Sequence, residues 1–254
     1  MNETVIIVGL GEVGKPLLEI LKGRYQVFGV DINLPAPVSQ SDVMHICFPF
    51  QDGNFVGQVL QYINQYGPAL TVINSTVAPG TTRRIAAESG AAVVNSPVRG
   101  KHARMQDEML RYTKFIGALD AHSGQRAVEH FGQVGMKTKL LGSPEATEIA
   151  KLTETTYFGL LIAWAQEVER YSRKLGADYD EVVSFYDEIE FFPPVKYFPG
   201  VIGGHCVIPN IAILLQQFPS GLLDAIVKSN ELKQKNLDTD GWLDANGPSP
   251  TQSR

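Results

Sequence analysis

Cysteine, positive charge and long apolar segments are all scarce in this sequence. Two cysteines among 254 residues, Cys47 and Cys206, exclude a disulfide framework and favour a reducing, cytoplasmic compartment. No apolar segment is long enough to cross a bilayer and no secretory leader is evident, so we expect no membrane association. The formal net charge of −5, without lysine or arginine runs, argues against a nucleic-acid partner. Cysteine and histidine do not cluster at zinc-binding spacing, and no metal is expected.

Residues 1–142 alternate short β-branched segments with segments of helical pattern. Several of the β-branched segments are nearly continuous apolar runs, which is typical of parallel strands covered on both faces. The segments between them are long enough for crossover helices. The sequence therefore predicts an α/β fold, a Rossmann domain with a doubly wound parallel sheet. The predicted strands are Val5–Val8, Val27–Val30, Val43–Phe48, Thr71–Asn74, Ala92–Asn95, Lys114–Ile116 and Lys137–Leu140.

A long helix is predicted where this alternation ends. Ser143 is a good N-cap, Pro144 suits the first helical position, and apolar residues recur at helical spacing as far as Leu175. Gly176 then fits the position that follows a helix. At about nine turns the helix is too long for a Rossmann crossover, so it predicts the spine of an all-helical domain over 143–236. The remaining predictions are a short helix from Asp178, helices over 211–217 and 221–235, and a disordered tail over 237–254.

The segment Gly9-Leu10-Gly11-Glu12-Val13-Gly14 has the spacing of a dinucleotide-binding fingerprint. It follows a predicted strand and opens a helix, and its glycines allow a tight turn, close approach of a pyrophosphate and helix–strand packing. Asp31 lies 20 residues beyond Gly11, at the end of the second strand. A carboxylate there accepts hydrogen bonds from ribose hydroxyls and repels a 2′-phosphate, which predicts NAD rather than NADP.

Two later loops lie where the third and fourth strands end, at the edge where open α/β sheets bind ligands. The hydroxyls of Ser75 and Thr76 are expected near the nicotinamide. The alternative for this region is simple helix capping by Thr81 or Thr82, which could coexist with ligand binding. The predicted cofactor-binding residues are Gly9, Gly11, Glu12, Val13, Gly14, Asp31, Phe48, Pro49, Ser75 and Thr76.

Cys206 follows two glycines in the segment Gly203-Gly204-His205-Cys206. Small neighbours expose the sulfur and let the backbone approach a ligand closely, which favours a covalent nucleophile. The alternative is a small buried residue, because free cysteines are often buried. Cys47 lies in an apolar run and is predicted to be a buried strand residue. A thiol and a redox cofactor together suggest oxidation of an alcohol to an acid through a thioester.

Several ordered motifs carry a family resemblance: Gly9–Gly14 with Asp31, Ile46–Pro49, Ser75–Thr81, Glu145–Glu167, Pro199–Cys206, and Leu222–Ala225 with Asn230-Glu231. Over residues 4–236 the sequence resembles the UDP-glucose/GDP-mannose dehydrogenases, which are NAD-dependent nucleotide-sugar dehydrogenases. The resemblance implies that Cys206 forms a thiohemiacetal and then a thioester. It also implies that Lys151 assists proton transfer and stabilises the oxyanion, and that Thr76 is the active-site threonine. A homodimer through the long helix is implied as well, and the helix has apolar residues on more than one face.

The sequence departs from the family at four points. Thr155 replaces an asparagine, Asn210 replaces an aspartate, and Ser96-Pro97-Val98-Arg99-Gly100 lacks the family's glutamate. The sequence also looks like a shortened form without the family's third α/β domain, which another chain could supply.

The predicted catalytic residues are Cys206, Lys151, Thr76, Thr155 and Asn210, and the predicted substrate-binding residues are Arg99, Lys151, Gly203 and Gly204.

Two other functions remain open at this point. The segment Pro97–Gly100 also resembles the β-hydroxyacid dehydrogenases, in which Lys151 would serve a single hydride transfer and Cys206 would be a bystander. A non-catalytic NAD-binding or regulatory homologue is the other alternative. Lys151 and Arg99 also have simpler explanations, as a solvated helix lysine and as part of a solvated basic face.

Overall fold

The computed structural model describes residues 3–50, 53–100, 104–188, 197–204 and 206–239. The chain divides into two compact units, Met1–Lys151 and Leu152–Arg254. The division falls inside the long helix, nine residues beyond the boundary predicted after residue 142. The two units are described separately below.

The first unit is built on a seven-stranded sheet with the order β2-β1-β3-β4-β5-β6-β7. The sheet is parallel except between β5 and β6, which pair antiparallel. The prediction of a doubly wound Rossmann sheet is confirmed. The antiparallel pairing of β5 with β6 was not specified, because an apolar run does not reveal the direction of its strand. The strands are β1 (Thr4–Val8), β2 (Gln26–Val30), β3 (Val43–Ile46), β4 (Leu70–Ile73), β5 (Val93–Asn95), β6 (Lys114–Ala118) and β7 (Thr138–Leu141).

Helices cover both faces of this sheet, so that each face buries its own core. Side chains alternate along β1: Val5 and Ile7 enter one core, while Ile6 and Val8 enter the other. The Val5 core packs against α1, α4 and α5, and the Ile6 core against α2 and α3. Burial on both faces explains why these strands are almost wholly apolar. The helices are α1 (Gly14–Leu21), α2 (Phe55–Tyr66), α3 (Thr81–Ser89), α4 (Met105–Arg111) and α5 (Ala121–Gly132).

The helix α6 (Pro144–Leu175) has the bounds that its local signals predict. The Ser143 hydroxyl accepts a hydrogen bond from the Ala146 amide at 3.3 Å. At the other end Gly176 adopts a φ of +71°, and the Ala177 amide donates to the Ser172 carbonyl at 2.8 Å. Such a left-handed residue satisfies carbonyls that the last turn leaves without helical partners.

Helices are the only regular secondary structure in the described residues of the second unit. Asp178 caps α7 (Tyr179–Ser184) by accepting from the Glu181 amide at 3.1 Å, and a short 3-10 turn, Phe185–Glu188, follows. The later helices are α8 (Val207–Leu215) and α9 (Gly221–Thr239), which is four residues longer than predicted. The predicted tail beyond Thr239 lies outside the described residues. None of the helices in the described part of the chain has the length and apolar character needed to cross a membrane.

Candidate active site

Three loops, which contain Gly9, Phe48 and Ser75, meet at the carboxyl ends of β1, β3 and β4. Gly9 has a φ of +91°, and a Cβ there would lie 2.8 Å from the Phe48 amide nitrogen. The Ser75 hydroxyl donates to the Phe48 carbonyl at 2.6 Å. Because β1 has β2 on one side and β3 on the other, these loops surround the point where the strand order reverses. Ligands of open α/β sheets bind at this point.

The three fingerprint glycines are required for different reasons. A Cβ on Gly14 would lie only 1.8 Å from the Gly9 carbonyl oxygen, so the start of α1 depends on a bare backbone. A Cβ on Gly11 would meet no atom within 4 Å. The open side of Gly11 therefore leaves room for a phosphate group beside the beginning of a helix, where amide groups favour an anion. Among the other predicted loop residues, Glu12 is exposed and Val13 is half-buried.

Asp31 lies at this loop, as the fingerprint predicts. One carboxylate oxygen accepts from the Leu10 amide at 3.1 Å, and the other accepts from the Ile32 amide at 2.9 Å. The residue is exposed, so its oxygens remain accessible to the hydroxyls of a ribose. Together, the open Gly11 and the fixed Asp31 carboxylate fit the adenosine half of a dinucleotide without a 2′-phosphate.

Glu148 holds the loop that follows Ser75 and Thr76. Its carboxylate accepts from the Gly80 amide at 2.7 Å, and from the amide and hydroxyl of Thr82 at 2.9 and 2.6 Å. Glu148 on α6 thus caps α3, a role that the sequence suggested for Thr81 or Thr82. Burial raises the pKa of Glu148, against the opposing effect of these hydrogen bonds. Sequence reasoning missed Glu148, although a glutamate among the apolar positions of α6 was a signal.

A buried lysine beside this loop was also missed. Lys114 is 6% exposed, and its ammonium donates to the Asn74 side-chain oxygen at 3.0 Å and to the Ser96 carbonyl at 2.6 Å. Burial lowers the pKa of Lys114 to about 7. Of the smaller effects on this pKa, the interaction with Cys47 raises it, and the positive charge of Lys151, a predicted catalytic residue that lies half-buried on α6, lowers it. A lysine at the start of an apolar strand was the only sequence signal.

The remaining predicted residues of the first unit occupy varied positions. Thr76 and Phe48 are half-buried, and Pro49 is exposed. Arg99 is half-buried, with its guanidinium carbon 5.7 Å from the ring centroid of Tyr112 and 5.6 Å from that of Phe115. Stacking on two rings fixes Arg99, and its substrate-binding role stays a prediction.

In the second unit, Cys206 stands immediately before α8. It is half-buried, and the preceding Gly204 has a φ of +78°. A Cβ on Gly203 or on Gly204 would meet nothing within 4 Å, so both glycines border open space. The turn before Cys206 is thus rich in glycine and open around Gly203 and Gly204, whereas the predicted role of Cys206 as a nucleophile stays a prediction. His205 lies outside the described residues.

Thr155 and Asn210 are brought together near this cysteine. The Asn210 side-chain amide donates to the Thr155 hydroxyl at 2.7 Å, and its backbone amide donates to the Cys206 carbonyl at 3.0 Å. The Thr155 hydroxyl in turn donates to the Leu152 carbonyl at 3.0 Å. These two replacements of the family's residues therefore form one hydrogen-bonded pair, one helical turn from the thiol.

Two buried amides support the turn that leads to Cys206. Asn230 accepts from the Ile202 amide at 2.7 Å and donates to the Ile202 carbonyl at 3.1 Å. Gln166 donates to the Gly200 carbonyl at 2.6 Å. Asn230 and Gln166 both lie within motifs that the sequence analysis quoted, but neither was identified as a site residue. Within the described residues no three His, Cys, Asp or Glu side chains are grouped as a metal site would require.

Residues 145–232 match the family model of the UDP-glucose/GDP-mannose dehydrogenase family, central domain. These residues include α6 with Lys151 and Thr155, the glycine-rich turn with Cys206, and most of α9. Over this third of its length the chain is similar to the UDP-glucose/GDP-mannose dehydrogenase family.

Curated relatives and solved structures extend the comparison beyond the central domain. A UDP-N-acetyl-D-mannosamine dehydrogenase from Methanocaldococcus jannaschii is 23% identical over 257 residues, which cover 82% of this chain and 60% of the relative. This chain therefore spans about three fifths of the length of that family member. The UDP-D-ManNAc dehydrogenase structure from Pyrococcus horikoshii has a TM-score of 0.79 at 20% identity, covering 94% of this chain and 72% of the other.

A structural neighbour with another activity has the same extent as this chain. The Mycobacterium tuberculosis 3-hydroxyisobutyrate dehydrogenase has a TM-score of 0.71 at 18% identity. The match covers 94% of this chain and 95% of the other. At this identity the likeness concerns the fold alone, which is a Rossmann domain followed by helices.

Proposed function

We propose that this chain is an NAD-dependent oxidoreductase that converts a primary alcohol of a nucleotide sugar into a carboxylic acid. The observation that carries the proposal is the Asp31 carboxylate, held by the Leu10 amide beside the open face of Gly11. This arrangement fits NAD and disfavours a phosphorylated ribose. The match of residues 145–232 to the central domain of the UDP-glucose/GDP-mannose dehydrogenase family and the named relatives support the substrate class.

The protein's residues divide the chemistry between them. When bound, NAD accepts one hydride in each of two oxidations. Lys151 takes the proton of the substrate hydroxyl and then stabilises the negative charge that develops on the same oxygen. The Cys206 thiolate adds to the resulting aldehyde and forms a thiohemiacetal. Lys151 would return its proton to the thiohemiacetal oxygen and take it again as the second hydride leaves for a second NAD. Water would cleave the C–S bond of the resulting thioester, which releases the acid and the thiol.

Other residues hold these groups. Thr76, next to Ser75 in the β4 loop, would contact the reacting end of the cofactor. Asn210 and Thr155 satisfy each other, so that neither is left as a buried unpaired dipole one turn from the thiol. Arg99, Gly203 and Gly204 remain the proposed substrate contacts. Asn210 carries no carboxylate, so it does not serve as a general base in this proposal.

The test is to count NADH formed per substrate in reactions with UDP-N-acetyl-mannosamine, UDP-glucose and a series of small hydroxyacids. We expect two NADH per nucleotide sugar, and a Cys206→Ser variant that stops after at most one. Serine is a far weaker nucleophile at neutral pH, because its hydroxyl is almost wholly protonated. Lys151→Ala should slow both oxidations. Acid production by Cys206→Ser at the wild-type rate would rule out the thioester route.

A one-step hydroxyacid dehydrogenase is the second candidate. The observation in its favour is the match in extent, 94% and 95%, with the 3-hydroxyisobutyrate dehydrogenase structure. In this reaction Lys151 is the acid and base, and Cys206 is not required. One NADH from a small hydroxyacid, unaffected by Cys206→Ser, would establish it. No NADH from any substrate would favour the third alternative, a non-catalytic NAD-binding protein.

We also propose a homodimer formed through α6. Tyr157, Trp164 and Tyr171 recur every seven residues along this helix and are 53%, 53% and 52% exposed. Large side chains that lie along one exposed stripe at this spacing usually pack against another helix.

Two free thiols further support a reducing, cytoplasmic location.

A further inference from the structure

A chain of buried polar side chains runs from Lys114 into the core beneath α5. Lys114 donates to the Asn74 oxygen, and the Asn74 nitrogen lies 3.1 Å from His45 Nδ1. His45 Nε2 lies 3.0 Å from His130 Nε2. Lys114 and both histidines are less than 7% exposed. Beyond them, His130 Nδ1 lies 4.0 Å from a carboxylate oxygen of Glu3.

Within this row of polar side chains, the hydrogen bonds determine which atom donates at each contact. Asn74 accepts from the ammonium through its oxygen, so its nitrogen donates to His45 Nδ1. Neutral His45 then carries its proton on Nε2 and donates to His130, whose own proton must lie on Nδ1. Burial keeps both rings neutral, since it lowers the pKa of His130 to about 4 and that of His45 well below its ordinary value. Neither histidine can therefore take up the charge of Lys114.

The surroundings of Lys114 compensate its charge only weakly. Its two acceptors, the Asn74 amide oxygen and the Ser96 carbonyl, are neutral. From α6 the charge of Lys151 opposes the ammonium, while the Phe131 ring on α5 lies 5.2 Å away and favours it. Cys47, which follows β3, raises the pKa of Lys114 only in its thiolate form. Burial raises the pKa of Cys47 itself to about 12, so near neutral pH it is an uncharged thiol that compensates little of the lysine's charge. An ammonium in such a place loses its proton readily.

This lysine lies beside the loop at which the reacting ring of the cofactor is proposed to bind. Asn74, its hydrogen-bond partner, immediately precedes Ser75 and Thr76. The oxidised nicotinamide ring carries a positive charge and the reduced ring carries none. We propose that the charge of Lys114 determines which redox form of the cofactor the site prefers: the ammonium favours NADH, and the neutral amine favours NAD+. This inference rests on the proposed NAD site.

The sign of the pH dependence follows from the direction of the shift. Below pH 7 Lys114 is charged and repels the oxidised ring, whereas above pH 7 it is neutral and the repulsion disappears. The ratio of the dissociation constants, Kd for NAD+ over Kd for NADH, should therefore fall as the pH rises from 6 to 8. We expect a fall of about tenfold. Groups that act equally on both redox forms cancel in this ratio.

The experiment measures both dissociation constants by calorimetry at pH 6, 7 and 8 in the wild type and three variants. Lys114→Met, which is neutral and similar in length, should give the low ratio at every pH. Lys114→Arg, which stays charged, should give the high ratio at every pH. Lys137→Met removes an exposed lysine from the same unit and should behave as the wild type. Circular dichroism identifies a variant that fails to fold, and the wild-type series does not depend on the variants.

The outcomes separate the two proposals. A wild-type ratio that is constant between pH 6 and 8, or a pH dependence that survives in Lys114→Met, would overturn the role of Lys114 while NAD binding stands. If neither NAD+ nor NADH binds, the proposed function fails and this inference fails with it.

Discussion

Asp31 is the residue on which we expect the choice of cofactor to depend. Its carboxylate is fixed by the Leu10 and Ile32 amides, at the position where it would meet the adenosine ribose. A 2′-phosphate would bring two negative charges to this carboxylate. We expect NAD to bind at least tenfold more tightly than NADP. Calorimetric titration with both cofactors measures this ratio.

The Asp31→Ser variant should bind NAD about tenfold more weakly and lose most of its discrimination. Asp107→Asn, at an exposed position on α4, is the matched control and should leave both constants unchanged. NADP binding as tight as that of NAD to the wild type would show that Asp31 does not face the ribose.

The two cysteines should differ strongly in reactivity. Both cysteines are half-buried, and Cys47 follows β3 instead of lying within it as predicted. Burial nevertheless raises the pKa of Cys47 to about 12, so its reactive thiolate is very rare at neutral pH. Cys206 borders the open space around Gly203 and Gly204. Brief treatment with iodoacetamide at pH 7.5 should modify Cys206 first, as peptide mapping would show, and Cys206→Ser should leave the protein almost unlabelled. Preferential labelling of Cys47 would mean that the two environments are reversed.

Sequence reasoning located the residues whose positions follow from local spacing, although their contacts with a cofactor remain predictions. Gly9, Gly14 and Asp31 were found because the fingerprint fixes them relative to one strand and one helix. Lys114 and Glu148 were missed because their partners, Asn74 and Thr82, lie 40 and 66 residues away along the chain. Only the folded sheet brings them together. The roles of Cys206, Lys151 and Asn210 remain predictions.

Helix α3 should depend on a carboxylate that belongs to another helix. Its N-cap, Gly80, has no side chain, and Glu148 of α6 satisfies the Gly80 amide together with both donors of Thr82. Glu148→Ala leaves these buried donors unpaired. The free energy of unfolding should fall by about 2–3 kcal/mol at pH 7. Urea denaturation measures the loss.

A second glutamate and the pH provide the controls for this prediction. Glu88→Ala removes an exposed ion pair with Arg84 at the other end of α3 and should lower the free energy of unfolding by at most about 1 kcal/mol.

Burial raises the pKa of Glu148 above its ordinary value of 4.5, so the folded state holds that proton more tightly than the unfolded state. The stability that Glu148 contributes therefore decreases as the pH rises through its folded pKa. Equal losses from both variants would contradict the capping role.

The bounds of α6 were predictable because its signals are local. Ser143, Pro144 and Gly176 act within one turn of the helix ends. The antiparallel direction of β6 was not predictable, because an apolar pattern reads the same in either direction. Burial on both faces makes Val93–Asn95 and Lys114–Ala118 look alike regardless of how they pair.

The assembled protein should be a dimer, because one chain leaves a long apolar stripe of α6 exposed. Tyr157, Trp164 and Tyr171 are each about half exposed, and Leu175, one turn beyond, is 83% exposed. Single exposed apolar residues are ordinary, but four on one stripe favour a helix–helix interface. The mass of one chain is 27.8 kDa. Light scattering at micromolar concentration should give twice that mass.

Substitution in the middle of this stripe should separate the subunits. Trp164→Glu would place a charge at the centre of the proposed interface, where it has no partner and loses its water. We expect the variant to be monomeric at the concentration where the wild type is a dimer. Leu222→Glu, at a 59% exposed position on α9, is the control and should remain dimeric if α6 alone forms the interface. A wild type that is monomeric at micromolar concentration would exclude the α6 dimer. A Trp164→Glu variant that stays dimeric would move the interface to another surface.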